Sequence, residues 1–311
     1  MRQAFADVLV RLAAEDDRVV FLTGDLGFQV FDAFRERFGP RYINVGVAEA
    51  QMVSAACGLA LVGFRPVAYS IASFATARPF EQVKLDLGYA GVPVVLVGAG
   101  GGFTYANAGV THHAPDDLGL MCLIPGMTVV APGCPSELAA LLPQLLRLKG
   151  PSYLRIGKYG EPDYQALDVP VLGRARRLRA GCRVGLLCTG DVAVEAVAAA
   201  DLLSREGISL DVWQFHTVKP IDTDALEDVA ARCGVLLVAE EHIPTGGLGD
   251  AVARWLATRG GGPRLVVRGA PDAFVLGSPS REELREQLGY SQQQLAATCR
   301  QLWQNLPADR P

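Results

Sequence analysis

Gly46-Val47-Ala48-Glu49-Ala50-Gln51-Met52 leads into Val53-Ser54-Ala55-Ala56-Cys57-Gly58-Leu59-Ala60-Leu61-Val62, a glycine turn followed by an apolar helix with one carboxylate on its first turn. The run is small and apolar on every face, so the helix is expected to lie deep between other elements. A carboxylate carried into such a place is costly to bury unless something pairs with it. Glu49 could simply complement the positive end of the helix dipole. The rest of the chain favours a chemical role.

On either side of this helix, short β-rich runs alternate with helical ones along all 311 residues, the pattern of parallel sheets covered by helices. Strands are expected at 19–22, 66–69, 93–97, 128–130 and 153–156, with helices at 2–15, 47–62, 78–90 and 135–148. Pro135 and Glu137 open the last of these helices, and Gly150-Pro151 stops it. From Gly160 to Gly181 the periodicity lapses into a polar stretch with the basic cluster Arg174 to Arg179, which reads as a solvated linker. A second alternating unit follows, with strands at 184–188, 209–215, 235–239 and 264–268 and a final helix at 291–303. The expected fold class is α/β, two tandem doubly wound, mostly parallel domains at 1–165 and 182–311 joined by a linker at 166–181.

Composition narrows the function classes. Half of the residues are hydrophobic and a fifth are charged, which supplies ample core and argues against disorder. A net charge of −4 offers no basic field for nucleic acid or anionic lipid. No segment reaches about 18 uninterrupted apolar residues and the first residues lack a signal-peptide core, so a cytoplasmic protein is expected. The seven cysteines are scattered and odd in number, as reduced structural thiols would be.

Open parallel sheets bind ligands at the carboxyl ends of their strands, and three loops there carry unusual residues. In Thr23-Gly24-Asp25-Leu26-Gly27 the aspartate is expected to point into the crevice, although an aspartate between glycines is often only a turn residue. The segment Ser73 to Gln82 gathers Phe74, Arg78 and Phe80 at a helix entrance, where core packing would explain either phenylalanine singly as well as a functional role would. The third loop, Gly98 to Asp117, is long and glycine-rich and delivers His112 and His113 just ahead of Asp116 and Asp117. Adjacent histidines on an extended loop project in different directions. That disfavours a shared metal and suits proton transfer or substrate hydrogen bonding by one of them.

In their order and spacing, these segments resemble the transketolase-like thiamine diphosphate enzymes over essentially the whole chain. Gly46-Val47-Ala48-Glu49 is similar to the family's G-[IV]-x-E signature, and Thr111-His112-His113 with Asp116-Asp117 to its G-P-T-H-Q-x-x-E-D segment. Pro151-Ser152 to Lys158 resembles the P-S-x-x-x-x-x-R strand, and Val218 to Asp222 and Glu240 to Gly249 match the C-terminal pattern.

The resemblance implies a pyrimidine-binding domain followed by a C-terminal domain. The carboxyl of Glu49 would hydrogen-bond N1′ of the cofactor's aminopyrimidine, promoting the imino tautomer from which the cofactor's carbon nucleophile is made. Phe74 and Phe80 would stack on that ring, with Asp25 near its amino edge. His112 would contact the substrate oxygen and assist proton transfers, with His113 and Arg78 at the same entrance. Lys158 and Arg2 would take positions where relatives bind substrate phosphate, although lysine lacks the bidentate fork of arginine. Asn107-Ala108 departs from the family's acidic pair, and Gly100 stands where relatives carry a further histidine.

No G-D-G segment is present, since Gly24-Asp25-Leu26 and Gly190-Asp191-Val192 both lack the third glycine. The resemblance therefore implies that the cofactor's diphosphate, with its Mg2+ or Ca2+, is held by a separate subunit carrying the diphosphate-binding domain. The two chains would assemble as α2β2, and this chain would be inactive alone. The expected reaction moves a two-carbon ketol unit from a ketose or ketose phosphate to an aldehyde-type acceptor. The β subunit of a 2-oxoacid dehydrogenase or related acyl-forming enzyme, and a non-catalytic companion, are the alternatives.

Overall fold

The computed structural model describes residues 1–27, 29–158, 160–164 and 168–307. The first half contains strands β1 (Val19–Thr23), β2 (Tyr42–Asn44), β3 (Arg65–Ile71), β4 (Val95–Ala99), β5 (Thr128–Val130) and β6 (Ser152–Ile156). Its helices are α1 (Arg2–Glu15), α2 (Asp32–Phe38), α3 (Glu49–Leu61), α4 (Ala72–Thr76), α5 (Phe80–Gln82), α6 (Asp117–Cys122) and α7 (Pro135–Leu145). The second half contains β7 (Arg176–Arg179), β8 (Arg183–Cys188), β9 (Asp211–Gln214), β10 (Thr217–Lys219), β11 (Cys233–Ala239) and β12 (Arg264–Arg268). Helices α8 (Val192–Ser204), α9 (Thr223–Arg232), α10 (Leu248–Arg259), α11 (Arg281–Gln287) and α12 (Gln292–Gln304) accompany them.

Two mostly parallel sheets result. The first runs β10-β5-β6-β4-β3-β1-β2 and the second β12-β11-β8-β9-β7. Alternation along β1 shows why both faces of the first sheet need cover: Val19 and Phe21 enter the cluster under α1 and α7, whereas Val20 and Leu22 enter the cluster under α3. The ends of β1 and β3 thus meet the start of α3, where Gly24 lies beside Gly46, Glu49 and Ser70.

Three expectations are corrected. The segment read as a linker contains β7, which pairs antiparallel with β9; Arg176 and Leu178 point inward and Arg177 outward, so the basic cluster is a half-buried edge strand. Residues 165–167 at the expected boundary, and 308–311 at the end, lie outside the described residues. Helix α3 is not buried on every face, for Leu61 is 69% exposed and the flanking Val47 and Val62 are exposed as well. The helix expected at 78–90 is the single turn α5 continued by a π-helical stretch, Val83–Tyr89. Among the described residues no helix is long and apolar enough to cross a membrane, and all seven cysteines are free.

Candidate active site

Glu49 opens α3 and is 3% exposed. The Ser70 hydroxyl, at the end of β3, donates to its Oε1 at 3.0 Å. Arg78 Nη1 donates to Oε2 at 3.1 Å. Gly24 lies against Oε1 and carries no side chain to cover it. The expensive buried carboxylate is therefore paired with one cation and one hydroxyl, both supplied by the segment leaving β3.

Phe74 and Arg78 lie on and just after α4, one helical turn apart. The guanidinium of Arg78 lies over the Phe74 ring, 3.7 Å from its centroid. Phe74 in turn packs against His112, with ring centroids 5.1 Å apart, and Tyr105 also packs against His112 at 5.8 Å. Lys158 closes the row, its Nζ 4.0 Å from the Tyr105 ring centroid. A Cβ at Gly100 would strike the Tyr105 ring, so Tyr105 fills the space that a side chain at position 100 would need. Tyr105 was not singled out by sequence reasoning, and only its aromatic character within a glycine-rich loop could have signalled it.

His112 is partly buried and its Nδ1 pairs with the Thr111 hydroxyl at 2.9 Å. Burial, reinforced by the charge of Arg78, holds its imidazole below the usual histidine range, which leaves it neutral at pH 7. His113 is turned inward: its Nε2 donates to the Ala106 carbonyl at 2.9 Å and its ring meets Phe103 edge-on. The two histidines thus point apart. A cavity of about 690 Å³ opens beside them, lined among others by Phe74, Arg78, His113, Asp116, Asp272 and Phe274.

Other expected residues have contacts of their own. Asp25, exposed and at φ 59°, does not project freely into the crevice; its carboxylate accepts from Asn44 Nδ2 at 2.9 Å, tying the β1 and β2 loops together. Phe80 is half-buried against the apolar cluster beneath α3, so packing accounts for its placement. Arg2 sits on the first turn of α1, beside Met1, whose amino group donates to the buried Glu161 at 2.6 Å.

The histidine loop is held from both halves of the chain. Gly102 and Ala114 close its ends with an antiparallel bridge. Asp117, fully buried at the start of α6, accepts from the Tyr153 hydroxyl at 2.6 Å and from both Nε and Nη2 of Arg155. Arg155 Nη1 also donates to the Glu241 carbonyl at 3.2 Å. The Glu241 carboxylate accepts from the Phe103 amide at 2.5 Å and is clamped by Arg281 and Arg285. Below α6, His242 Nε2 accepts from the Gly119 amide at 3.0 Å while Nδ1 donates to the Ile243 carbonyl at 2.7 Å. Sequence reasoning missed these anchors; the Asp116-Asp117 and Glu240-Glu241-His242 motifs were visible, but their partners lie up to 138 positions away.

Residues 1–159 match the family model of the transketolase pyrimidine binding domain, and residues 173–295 match that of the transketolase C-terminal domain. The chain belongs to the transketolase family, as the pyrimidine-binding subunit of a two-component enzyme.

It is 39% identical over 258 residues to the 6-deoxy-6-sulfo-D-fructose transketolase subunit SqwH of Clostridium sp. (strain MSTE9), covering 82% of this chain and 80% of that one. It is 32% identical over 284 residues to an apulose-4-phosphate transketolase subunit of Phocaeicola vulgatus, covering 90% of each. It is also 34% identical to the 1-deoxy-D-xylulose-5-phosphate synthase 1 of Geobacter sulfurreducens, of whose length it spans 46%. A solved structure titled split gene transketolase, inactive beta4 tetramer, superposes with a TM-score of 0.86 at 30% identity over 97% of both chains. Family membership implies thiamine diphosphate as the cofactor.

Proposed function

We propose that this chain supplies Glu49 as the partner of the aminopyrimidine of thiamine diphosphate, Phe74 as its stacking surface and His112 as the group that meets the substrate. The observation that carries the reading is the pairing of a 3% exposed carboxylate with a flat N–H donor laid on an aromatic face. A guanidinium occupies the space between Glu49 and Phe74, so a planar nitrogen group fits there in hydrogen-bonding register.

When bound, the cofactor supplies a carbon nucleophile for attack on a ketose carbonyl. Glu49, held by Ser70, keeps a hydrogen bond on the ring nitrogen and moves a proton there. His112, neutral at pH 7, can exchange a proton with a substrate oxygen. His113 has its Nε2–H committed to Ala106, so its contribution is to shape the cavity wall. Lys158 carries the charge for an anionic end of the sugar, steadied on the Tyr105 ring.

The reaction is transfer of a two-carbon ketol unit from a ketose, phosphorylated or otherwise anionic, to an aldehyde. The relatives' names point to unusual ketoses such as 6-deoxy-6-sulfofructose and apulose 4-phosphate, and Asn107-Ala108 in place of an acidic pair accords with a donor outside the common sugar phosphates. The diphosphate and its Mg2+ or Ca2+ fall to the partner subunit, in an α2β2 assembly. The exposed apolar edge of α3, with Leu61 and Val62, suits such association.

The test is co-expression with a partner carrying the diphosphate-binding domain, followed by a thiamine-diphosphate-dependent ketol-transfer assay. Glu49→Ala should abolish turnover without unfolding the complex. A Glu49→Ala enzyme as fast as the wild type would dispose of the proposal.

A further inference from the structure

Arg78 makes the two contacts that the proposed function assigns to a cofactor ring. Its Nη1 lies 3.1 Å from Glu49 Oε2, and its guanidinium carbon lies 3.7 Å from the centre of Phe74. A guanidinium is flat, delocalised and cationic, with its N–H donors in the plane. An aminopyrimidine protonated at N1′ shares these properties, since its charge is delocalised around the flat ring to the 4′-amino nitrogen. On the reading given above, both groups would use the Glu49 carboxylate and the Phe74 face and would therefore compete.

The two partners of the ion pair are unequally held. Glu49 is 3% exposed and fixed by its helix and Ser70, whereas Arg78 is 47% exposed. Arg78 stands in the short connection between α4 and α5 and reaches inward from solvent. It can withdraw without opening the core. It also lines the cavity of about 690 Å³, on whose wall stand Asp116 and Asp272, so a withdrawn guanidinium finds both space and acidic neighbours.

We propose that Arg78 is a displaceable counter-ion of Glu49, filling the pyrimidine position while the cofactor is away and yielding both Glu49 and Phe74 when it arrives. The inference rests on the reading of Glu49 given above. Its physical benefit is that the buried carboxylate is never left without a partner, either before or after loading. Its cost is affinity, because the apparent binding constant is weakened by the fraction of molecules in which Arg78 is docked.

The test is titration of thiamine diphosphate with Mg2+ into the assembled complex, followed by calorimetry. Arg78→Ala should bind the cofactor about three- to tenfold more tightly than the wild type, the range expected when a half-exposed competitor is removed. Arg78→Lys keeps the charge but loses the planar stack; it should fold even if the alanine variant does not, and it should fall between the two. In a Glu49→Ala background the Arg78→Ala change should shift the affinity less than twofold. Unchanged or weaker binding by both Arg78 variants would overturn displacement while leaving the role of Glu49 intact. A wild-type complex that binds no thiamine diphosphate would remove both ideas.

Discussion

The amide of Phe103, in the loop that carries both histidines, donates at 2.5 Å to the carboxylate of Glu241 from the second half of the chain. The contact is close because Gly102 has φ +60° and no Cβ; a methyl group there would come within 2.6 Å of Glu241 Cγ. Gly102→Ala should therefore push the loop off its anchor. Turnover is expected to fall by about tenfold or more, because small misplacements of catalytic groups are costly, with little change in cofactor affinity. A crystal structure or hydrogen exchange over 100–116 would show the displacement.

Asp117 and Arg155 form a fully buried pair completed by the Tyr153 hydroxyl. Removing one member leaves the other charged and unpaired. Asp117→Asn or Arg155→Met should each cost about 3–5 kcal/mol in denaturant unfolding, and the double variant should cost less than the sum of the two. Additive losses would show that the two side chains do not act as a pair.

Acid sensitivity should trace to His242. Burial holds its imidazole down to about 4, and its Nε2 accepts a hydrogen bond from Gly119 that protonation would break. The unfolded chain thus binds the proton that the folded chain refuses, so this contribution is complete above about pH 6.5 and is lost on acidification toward 4. The slope cannot exceed about 1.4 kcal/mol per pH unit for one proton. Glu240, pushed up to about 7 by burial, acts in the opposite sense between its ordinary value and 7. The comparison must therefore be between wild type and His242→Gln, whose stability should be flatter across pH 4 to 6.5.

The acid limb of kcat/KM should lie below the usual histidine range, because burial, followed by the charge of Arg78, disfavours protonated His112. In Arg78→Ala the limb should move upward. A limb that stays fixed in that variant, or disappears in the wild type, would remove His112 from the proton transfers.

Assembly should depend on the apolar edge of α3. Leu61 and Val62 are exposed at its end, and Leu85 and Tyr89 extend the surface along the adjoining π-helical turn. Leu61→Asp should weaken association with copies or partner while leaving the melting behaviour of the chain unchanged, as native mass measurement would show. An unaltered assembly would place the interface elsewhere.

Much of this architecture is legible in the sequence because apolar strands such as Val95 to Val97 and Leu236 to Val238 need cover on both faces. Glu49 was legible for a related reason, as a carboxylate at the mouth of an apolar helix. β7 was hidden because its inward position 176 is an arginine, paired with the buried Glu137 of α7, and charge masks alternation. Phe80 is ambiguous because an aromatic residue at a helix entrance suits a core as well as a ring-binding site. The Asp116-Asp117 and Glu240-Glu241-His242 motifs are legible, but the partners that make them anchors of the histidine loop are not, since pairing between residues far apart in the chain leaves no local periodicity.

β10 returns from the second half to lie antiparallel on β5, and Arg176 returns to neutralise Glu137. A protein truncated after residue 165 would expose the β5 edge and strand an anion inside α7's core contacts. The two halves are therefore stitched rather than strung together. Exchanging either one between relatives should fail unless the crossing strand and its arginine travel with it.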